Sequence, residues 1–218
     1  MKPLELLSQT EVEQIHTSTM EIMGDIGVRF PHPEALEIFK NHGFKVDGQL
    51  VHFREDQVLE SIKDIPSSFT IQARNPDRNV TIGDGNPVFA PGYGAPFLID
   101  PEVGKRIPTI QDYKNLVKLA QMLPNQDMSG HLLVEPQDIP SETAHLEMLA
   151  ANLTLSDKAF IGSTDGKVGA KHTMDLIEIL FGDPSKGYFT TGLINPLSPL
   201  SYSADMVDAL LIFARSNQ

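Results

Sequence analysis

Cysteine is absent from all 218 residues of the sequence, and long apolar runs are absent as well. Without cysteine the chain has no disulfides, thiolate nucleophiles or thiolate metal sites, which fits a reducing compartment. No apolar stretch approaches the length needed to cross a bilayer, and the N-terminus lacks the basic start and apolar core of a signal peptide. We therefore expect a cytoplasmic protein that does not interact with membranes.

Basic residues are few, since 17 Lys and Arg stand against 29 Asp and Glu for a formal net charge of −12. Binding to nucleic acid relies on basic side chains that neutralise phosphates, so this balance argues against a nucleic-acid partner. A cationic substrate or a basic partner is compatible with it, and so is a surface charge that only keeps the protein in solution. The chain is long enough to bury a sizeable core.

Residues 1–86 are predicted to form a segment of short helices and hairpins. Ser8 and Glu11 match a capping box, and the apolar residues that follow at helical spacing predict a helix over 11–25 that stops at Gly27. The other elements predicted here are a helix ended by Gly43, a helix over 55–63, and hairpins over 44–53 and 69–82. A stretch of turn residues then places a boundary between residues 86 and 87.

From residue 87 onward, the order strand, polar loop, helix occurs four times. This alternation predicts parallel strands with right-handed crossovers, in either an open sheet or a barrel. A barrel needs eight such units and the chain ends just past the fourth helix, so we predict an α/β fold in which residues 87–218 form the first half of a TIM-type (β/α)8 barrel. The predicted strands are 88–90, 128–134, 159–162 and 188–194, and the predicted helices are 109–123, 141–153, 169–181 and 203–214.

The loops that follow the strands contain the candidate site residues, because such loops form the site in both kinds of α/β fold. In the first loop Gly92 and Gly94 flank Tyr93 and let a ligand approach closely, although a strained turn before a hairpin explains them equally well. A phosphate-binding loop is not supported, since no Lys-Ser/Thr pair is present and no helix opens directly after the glycines.

The later loops add carboxylates and hydrogen-bonding groups. Glu135 and Asp138 in the second loop and Asp165 in the third could hold a cation, orient water, act as bases or only shape the loops. Asn195 and Ser198 in the proline-rich fourth loop are either fixed hydrogen-bonding groups or parts of a capped turn. No two histidines have the spacing of a helical metal pair, so we predict no metal site. The alternation of its predicted strand could aim His131 into the barrel, but we interpret it as a satisfied core histidine.

Several separated segments of the chain resemble one known family. They read GVRFPHPEAL (27–36), PSSFT (66–70) with ARNP (73–76), GYGAP (92–96) with ID (99–100), and NPLSPL (195–200). In this order they resemble the trimethylamine methyltransferase family, whose corrinoid-dependent members act on tertiary and quaternary amines. The family's members are about twice this length, so the resemblance covers their N-terminal half.

The resemblance implies a fold and an activity. It implies a TIM-type barrel behind a helical and hairpin segment, and methyl transfer from a methylated amine such as trimethylamine or glycine betaine to the cob(I)alamin of a separate corrinoid protein. It implies no covalently bound cofactor, and it implies that this half alone is inactive. We expect a betaine-type member, because those are more widespread than the trimethylamine enzymes.

The resemblance also implies roles for the loop residues. A methylated amine has few or no N–H donors and is best held by aromatic faces and carboxylates, so we expect Tyr93, Glu135 and Asp165 to bind it. Asn195 and Ser198 would complete the substrate contacts, and Gly92 and Gly94 would lie next to the cofactor. The alternative hypothesis is a non-catalytic half-barrel that binds small molecules or pairs with a copy of itself through exposed strand edges, and we expect a homo-oligomer.

Overall fold

The computed structural model describes residues 5–218, which form two units. The first unit contains the chain up to Pro66 together with 195–207, and the second contains 67–194 together with 208–218. The boundary proposed between residues 86 and 87 therefore falls inside the second unit. The hairpin over 68–83 belongs there because its apolar face packs in that unit, in a buried cluster formed by Ile71, Ala73, Val80, Met128 and Ala159.

The first unit combines three helices with a small antiparallel sheet. Its elements are α1 (Gln9–Glu21), β1 (Val28–Arg29), α2 (Pro33–Asn41), β2 (Lys45–Asp47), β3 (Leu50–His52) and α3 (Glu55–Ile62). Strand β3 lies between the other two strands and pairs antiparallel with both. The helices and the hairpin predicted for this segment are all present.

Local sequence signals set the limits of α1. The Ser8 backbone N–H donates to Glu11 Oε2 at 2.7 Å, and the Glu11 N–H donates to Ser8 Oγ at 3.4 Å, which completes the predicted capping box. The helix continues into one π-helical turn, Ile22–Ile26, and ends at Gly27, whose φ of +80° is unfavourable for other residues. The capping-box prediction is confirmed.

Aromatic rings fill the first unit and bring a distant segment into it. The ring of Phe30 stacks on that of Tyr202 at 5.0 Å between centroids. The Arg29 N–H donates to the Leu200 carbonyl at 2.9 Å, and the Tyr202 N–H donates to the Arg29 carbonyl at 3.0 Å. The proline-rich loop around Ser198 is therefore anchored beside β1 within the first unit.

The second unit contains two hairpins, a parallel sheet and four helices. Its elements are β4 (Ser68–Ile71), β5 (Val80–Gly83), β6 (Leu98–Asp100), β7 (Gly104–Arg106), α4 (Ile110–Met122), β8 (Met128–Ser129), α5 (Ser141–Leu155), β9 (Ala159–Gly162), α6 (Gly166–Phe181), β10 (Thr190–Gly192) and α7 (Ala204–Arg215), of which the part from Asp208 onward belongs to this unit.

The parallel sheet has the order β10-β9-β8, so strands that follow one another in sequence are also neighbours in space. Met128 is in register with Ala159, and Phe160 is in register with Thr190. This confirms a mixed α/β fold with alternating strands and helices. Within residues 5–218 the strands do not close into a barrel.

The predicted strand over 88–90 is wrong, because these residues form no ladder. The segment still runs beside β8 and the residues after it: the Asp127 N–H donates to the Phe89 carbonyl at 2.9 Å, and Ala95 forms an isolated parallel bridge with Val134. Pro87 and Pro91 have no N–H to donate, and the Phe89 N–H bonds to the Asp127 carboxylate at 2.8 Å. The segment therefore makes too few backbone bonds to count as a strand.

Apolar side chains from the helices pack on the parallel sheet to form the main core of the second unit. The buried members are Leu149, Phe160, Ala170, Met174, Ile177, Phe189, Ala209 and Phe213. This core fixes the sheet against α5, α6 and α7, so the residues that follow the strands start from a rigid base. No helix found in residues 5–218 is both long and apolar enough to span a bilayer.

Gly162, the last residue of β9, is expected to tolerate no side chain. A Cβ atom there would lie 2.6 Å from Thr173 Cγ2 and 3.0 Å from Phe213 Cζ. We expect Gly162→Ala to lower the free energy of unfolding by about 1–3 kcal/mol through overpacking, measured by urea denaturation. Gly92→Ala is the matched control, because no atom lies within 4 Å of its Cβ position. Equal stability of the two variants would contradict the packing described.

Candidate functional site

Side chains from three successive loops of the second unit meet beyond the ends of the parallel strands. Tyr93 comes from the first loop, His131 follows β8, and Thr164 and Asp165 follow β9. His131 Nε2 lies 3.5 Å from Asp165 Oδ2. These four residues, the loop cluster, form the candidate site.

Asp165 occupies the N-cap position of α6 but does not cap it, since its side chain accepts no hydrogen bond from the helix. Its carboxylate accepts a hydrogen bond from Ser163 Oγ at 3.3 Å, and the side chain is 54% exposed. His131 lowers the pKa of Asp165, and the Ser163 hydroxyl and the charge of His145 lower it further against the effect of burial. Asp165 is therefore an anion with an open side.

Tyr93 is half-buried beside Thr164 and Asp165. Burial raises the pKa of the Tyr93 phenol, and the negative charge of Asp165 raises it further, while a hydrogen bond with Thr164 opposes the shift. The phenol is thus neutral at physiological pH. A neutral aromatic ring next to a carboxylate is an arrangement that attracts an organic cation.

The glycines beside Tyr93 differ in what they provide. Gly94 has a φ of +71°, and its N–H already donates to the Leu132 carbonyl. Gly92 has ordinary backbone angles and open space where a side chain would stand. With Tyr93, Leu116 and Leu119 it lines a mostly apolar cleft of about 440 Å³. Gly92 therefore leaves its part of the cleft open, whereas the Gly94 N–H is committed to the fold.

The other predicted site residues lie outside the contacts of the loop cluster. Glu135 is exposed, and its backbone N–H bonds to the Ala95 carbonyl at 3.1 Å. The Asp138 carboxylate accepts a hydrogen bond from the Ile110 N–H at 2.8 Å and thereby caps α4. This supports the interpretation that Asp138 only shapes its loop. Asn195 and Ser198 are exposed and belong to the first unit. The structure thus brings Tyr93 and Asp165 together. The substrate-binding roles of Glu135, Asn195 and Ser198 remain predictions.

Two histidines that the sequence did not single out lie near the cluster. His145 Nε2 and His172 Nδ1, on α5 and α6, share a hydrogen bond of 2.8 Å. Burial and His172 lower the pKa of His145, and the charges of His131 and Asp165 act on it in opposite directions. Their matching places in the second turns of consecutive helices were the available signal. No three His, Asp or Glu side chains among residues 5–218 are placed to hold a metal.

The backbone that carries His131 is fixed from behind by buried hydrogen bonds. The Tyr113 hydroxyl donates to the His131 carbonyl at 2.6 Å, and Asn152 Nδ2 donates to the Gly130 carbonyl at 2.9 Å. Ser129 Oγ in turn donates to Asn152 Oδ1 at 2.6 Å. All of these side chains are buried, so the position of His131 is well determined.

A second set of hydrogen bonds ties the loop that carries Tyr93 to α4. Arg106, at the end of hairpin β6–β7, donates to both carboxylate oxygens of Asp112 at 2.7 Å and to Asp100 at 3.1 Å. The Thr109 N–H also donates to Asp112, at 2.8 Å, in the capping box that starts α4. Arg106 therefore links the hairpin to the helix.

This link predicts a pH dependence of stability. The bonds from Arg106, followed by those from Thr109, hold the pKa of Asp112 well below its usual range. Because the pKa is lower in the folded chain, the carboxylate favours folding above the unfolded value of about 3.9, and this contribution is lost as the pH falls below it. We expect Asp112→Asn to lower the melting temperature at pH 7, with a difference from wild type that shrinks as the pH falls from about 5 toward 2.

Circular dichroism at a series of pH values measures this difference. Glu102→Gln, a change at an exposed acid of the same hairpin, serves as the control and should behave like wild type. A difference between Asp112→Asn and wild type that stays constant or grows toward low pH would contradict the assigned role of the Asp112 charge.

Comparison with known proteins places these residues in a family context. Residues 1–218 match the family described as trimethylamine methyltransferase (MTTB). Glycine betaine methyltransferase from Desulfitobacterium hafniense (strain Y51) is 41% identical over 216 residues, which is 98% of this chain and 45% of that protein.

Other relatives are more distant. Proline betaine:corrinoid methyltransferase from Eubacterium limosum is 25% identical over 227 residues, covering 97% of this chain and 46% of that protein. Trimethylamine methyltransferase MttB from Desulfitobacterium hafniense (strain DSM 10664 / DCB-2) is 30% identical over 165 residues, covering 73% of this chain and 33% of that protein. The chain thus spans less than half the length of these relatives.

Proposed function

The chain belongs to the trimethylamine methyltransferase family, and on that basis we propose that the complete protein transfers a methyl group from a quaternary amine of the glycine betaine class to the cob(I)alamin of a separate corrinoid protein. The observation that carries this proposal is the juxtaposition of Tyr93 with Asp165. The choice of a betaine is supported by the 41% identity to a glycine betaine methyltransferase, against 30% over a shorter stretch for a trimethylamine enzyme.

The chemistry of a quaternary ammonium matches the loop cluster. The nitrogen has no N–H group, so it cannot donate a hydrogen bond to the protein. Its positive charge is spread over the surrounding methyl groups. An aromatic face and a carboxylate attract such a charge without requiring a donor. Tyr93 and Asp165 supply these two groups, and Thr164, which contacts Tyr93, precedes Asp165 in the same loop.

In the proposed reaction the corrinoid of the partner, when bound, would supply the nucleophile for the methyl carbon. The carbon–nitrogen bond breaks, its electron pair stays on nitrogen, and a neutral tertiary amine is left. Tyr93 and Asp165 would hold the ammonium so that one methyl group points outward along the line of attack. The contribution of the protein is the position of the substrate.

The strand order supports the proposal that residues 87–218 are the first four β/α units of a TIM-type barrel. Segment 88–95, β8, β9 and β10 lie side by side in sequence order and run parallel, as in a barrel. In a barrel the loop cluster would lie at the C-terminal face, where active sites of this fold are found.

The remaining predictions for the site complete the proposal. Glu135, Asn195 and Ser198 would contact the substrate, and Gly92 and Gly94 would lie next to the corrinoid, with Gly92 better suited because space is open there. The complete protein would act as a homo-oligomer.

A methyl-transfer assay of the complete protein tests the function. Free cob(I)alamin is incubated with the protein and with glycine betaine, proline betaine, carnitine or trimethylamine, and methylcobalamin is followed by absorbance. We expect product with glycine betaine and less or none with trimethylamine. Absence of methylcobalamin with every amine would overturn the proposal and favour the non-catalytic alternative.

A further inference from the structure

His131 is an unusual buried residue because its ring makes no hydrogen bond. Its side chain is fully buried, and neither Nδ1 nor Nε2 has a hydrogen-bond partner. A buried polar atom without a partner lowers stability by about 1–3 kcal/mol, so an apolar side chain of similar size would be the more stable choice at this position. Such a group is expected where function requires it.

The ring of His131 is directed toward one neighbour. Nε2 lies 3.5 Å from Asp165 Oδ2, and the backbone of His131 is fixed by the hydroxyl of Tyr113. The other ionisable groups around Asp165 are Tyr93, beside its carboxylate, and His145, which is bonded to His172. His131 is the fully buried member of this group, and it faces Asp165 from the segment that follows β8.

Asp165 has an alternative position available to it. Asp165 is the N-cap residue of α6, so its carboxylate could turn to accept hydrogen bonds from N–H groups of the first helical turn. This is the usual role of Asp at an N-cap. It does not do so here and lies instead against His131 and Ser163. The carboxylate thus lies in the loop cluster and leaves the cap position unused.

We propose that His131 is a positioning residue that holds the Asp165 carboxylate away from the helix cap and in the cation site, so that the site selects ammonium substrates over molecules of the same shape that lack the ammonium charge. The inference rests on the proposed function, since it concerns how the same site recognises its substrate. A small closure of the 3.5 Å gap when a cation binds would complete the Nε2–H···Oδ2 hydrogen bond.

Selectivity for charge is the property that distinguishes this role from a structural one. Glycine betaine and 3,3-dimethylbutanoate have the same shape, but the second has a neutral carbon in place of the positively charged nitrogen. The ratio of their affinities therefore measures the electrostatic contribution of the site alone. General loosening of the fold would weaken the binding of both molecules together.

The test compares His131→Leu with His131→Gln in the complete protein, by calorimetric titration with glycine betaine and with 3,3-dimethylbutanoate. Leucine removes both ring nitrogens, whereas the Gln amide can donate from a position near Nε2. We expect His131→Leu to reduce the affinity ratio about tenfold, while His131→Gln keeps it within about threefold of wild type. We also expect His131→Leu to melt no lower than wild type, because it removes two unpartnered buried atoms and frees Asp165 to cap α6.

Each outcome decides a separate point. If wild type binds glycine betaine no better than 3,3-dimethylbutanoate, the proposed function fails. If wild type is selective and His131→Leu is equally selective, the positioning role of His131 is wrong and the proposed function stands. If His131→Leu weakens both ligands equally, or if both variants unfold, His131 is a structural residue and the inference is overturned.

Discussion

Replacing Asp165 by Asn is expected to weaken glycine betaine binding by about 30-fold. Two opposite charges about 4–5 Å apart near a protein surface attract by up to about 4 kcal/mol, and the 54% exposure of the Asp165 side chain reduces this to about 2 kcal/mol. The substitution keeps the size of the side chain and removes only its charge. Because its pKa is already lowered, wild-type Asp165 stays ionised and the effect should be constant between pH 6 and 8.

Calorimetric titration of the complete protein measures this effect, and Asp138→Asn is the matched control. Asp138 is also a loop acid, but it caps α4 through Ile110, and an Asn oxygen can accept the same hydrogen bond. We expect the control to bind glycine betaine like wild type. If Asp165→Asn binds as tightly as this control, the carboxylate is not part of the cation site.

Replacing Tyr93 by Ala is expected to have an effect of similar size on affinity. The face of an aromatic ring stabilises a bound, desolvated cation by about 2 kcal/mol, so removal of the ring should weaken binding about 30-fold. Tyr93→Phe retains the face and should bind within about threefold of wild type, since the cation requires no donor. Burial and the charge of Asp165 raise the pKa of the Tyr93 phenol, so the phenol stays neutral near pH 7. Its ionisation should therefore not change the affinity of wild type at neutral pH.

The Phe and Ala variants together separate two roles for Tyr93. The affinity for glycine betaine and the rate of methyl transfer should fall together in Tyr93→Ala, because both depend on holding the ammonium in place. If Tyr93→Phe loses as much affinity as Tyr93→Ala, the hydroxyl and its contact with Thr164 are responsible, and the cation–π account of the site is wrong.

Much of the fold could be predicted because its signals are local. The capping boxes of α1 and α4, with Ser8–Glu11 and Thr109–Asp112, require only residues three positions apart. Strand β9 is short, apolar and bounded by polar residues, and it was predicted at its observed limits. The irregular structure of segment 88–90 was not predicted. Its apolar residues favoured a strand, but Pro87 and Pro91 have no N–H groups to contribute to a ladder.

Contacts between distant residues limited the prediction of domains and of the site. The hairpin over 68–83 joins the second unit through packing on β8 and β9, which lie more than 40 residues farther along the chain. Asn195 and Ser198 follow a strand of the sheet, yet their loop pairs with Arg29 of the first unit. Neither contact leaves a periodic signal in the sequence.

The sequence was more informative about Tyr93 and Asp165 than about His131. The first two follow apolar segments directly, and residues that follow parallel strands gather at one end of a sheet. The burial of His131 was predicted correctly, but the prediction that its ring is satisfied by hydrogen bonds was wrong. Its orientation toward Asp165 depends on the register of β8 and β9, which periodicity does not determine.

The most direct test of the account is a crystal structure of the complete protein with glycine betaine bound. We expect the trimethylammonium group within about 6 Å of the centre of the Tyr93 ring, with the Asp165 carboxylate beside it and His131 Nε2 hydrogen-bonded to Oδ2. Binding of glycine betaine at another place, with Tyr93 and Asp165 facing solvent or other protein groups, would contradict it.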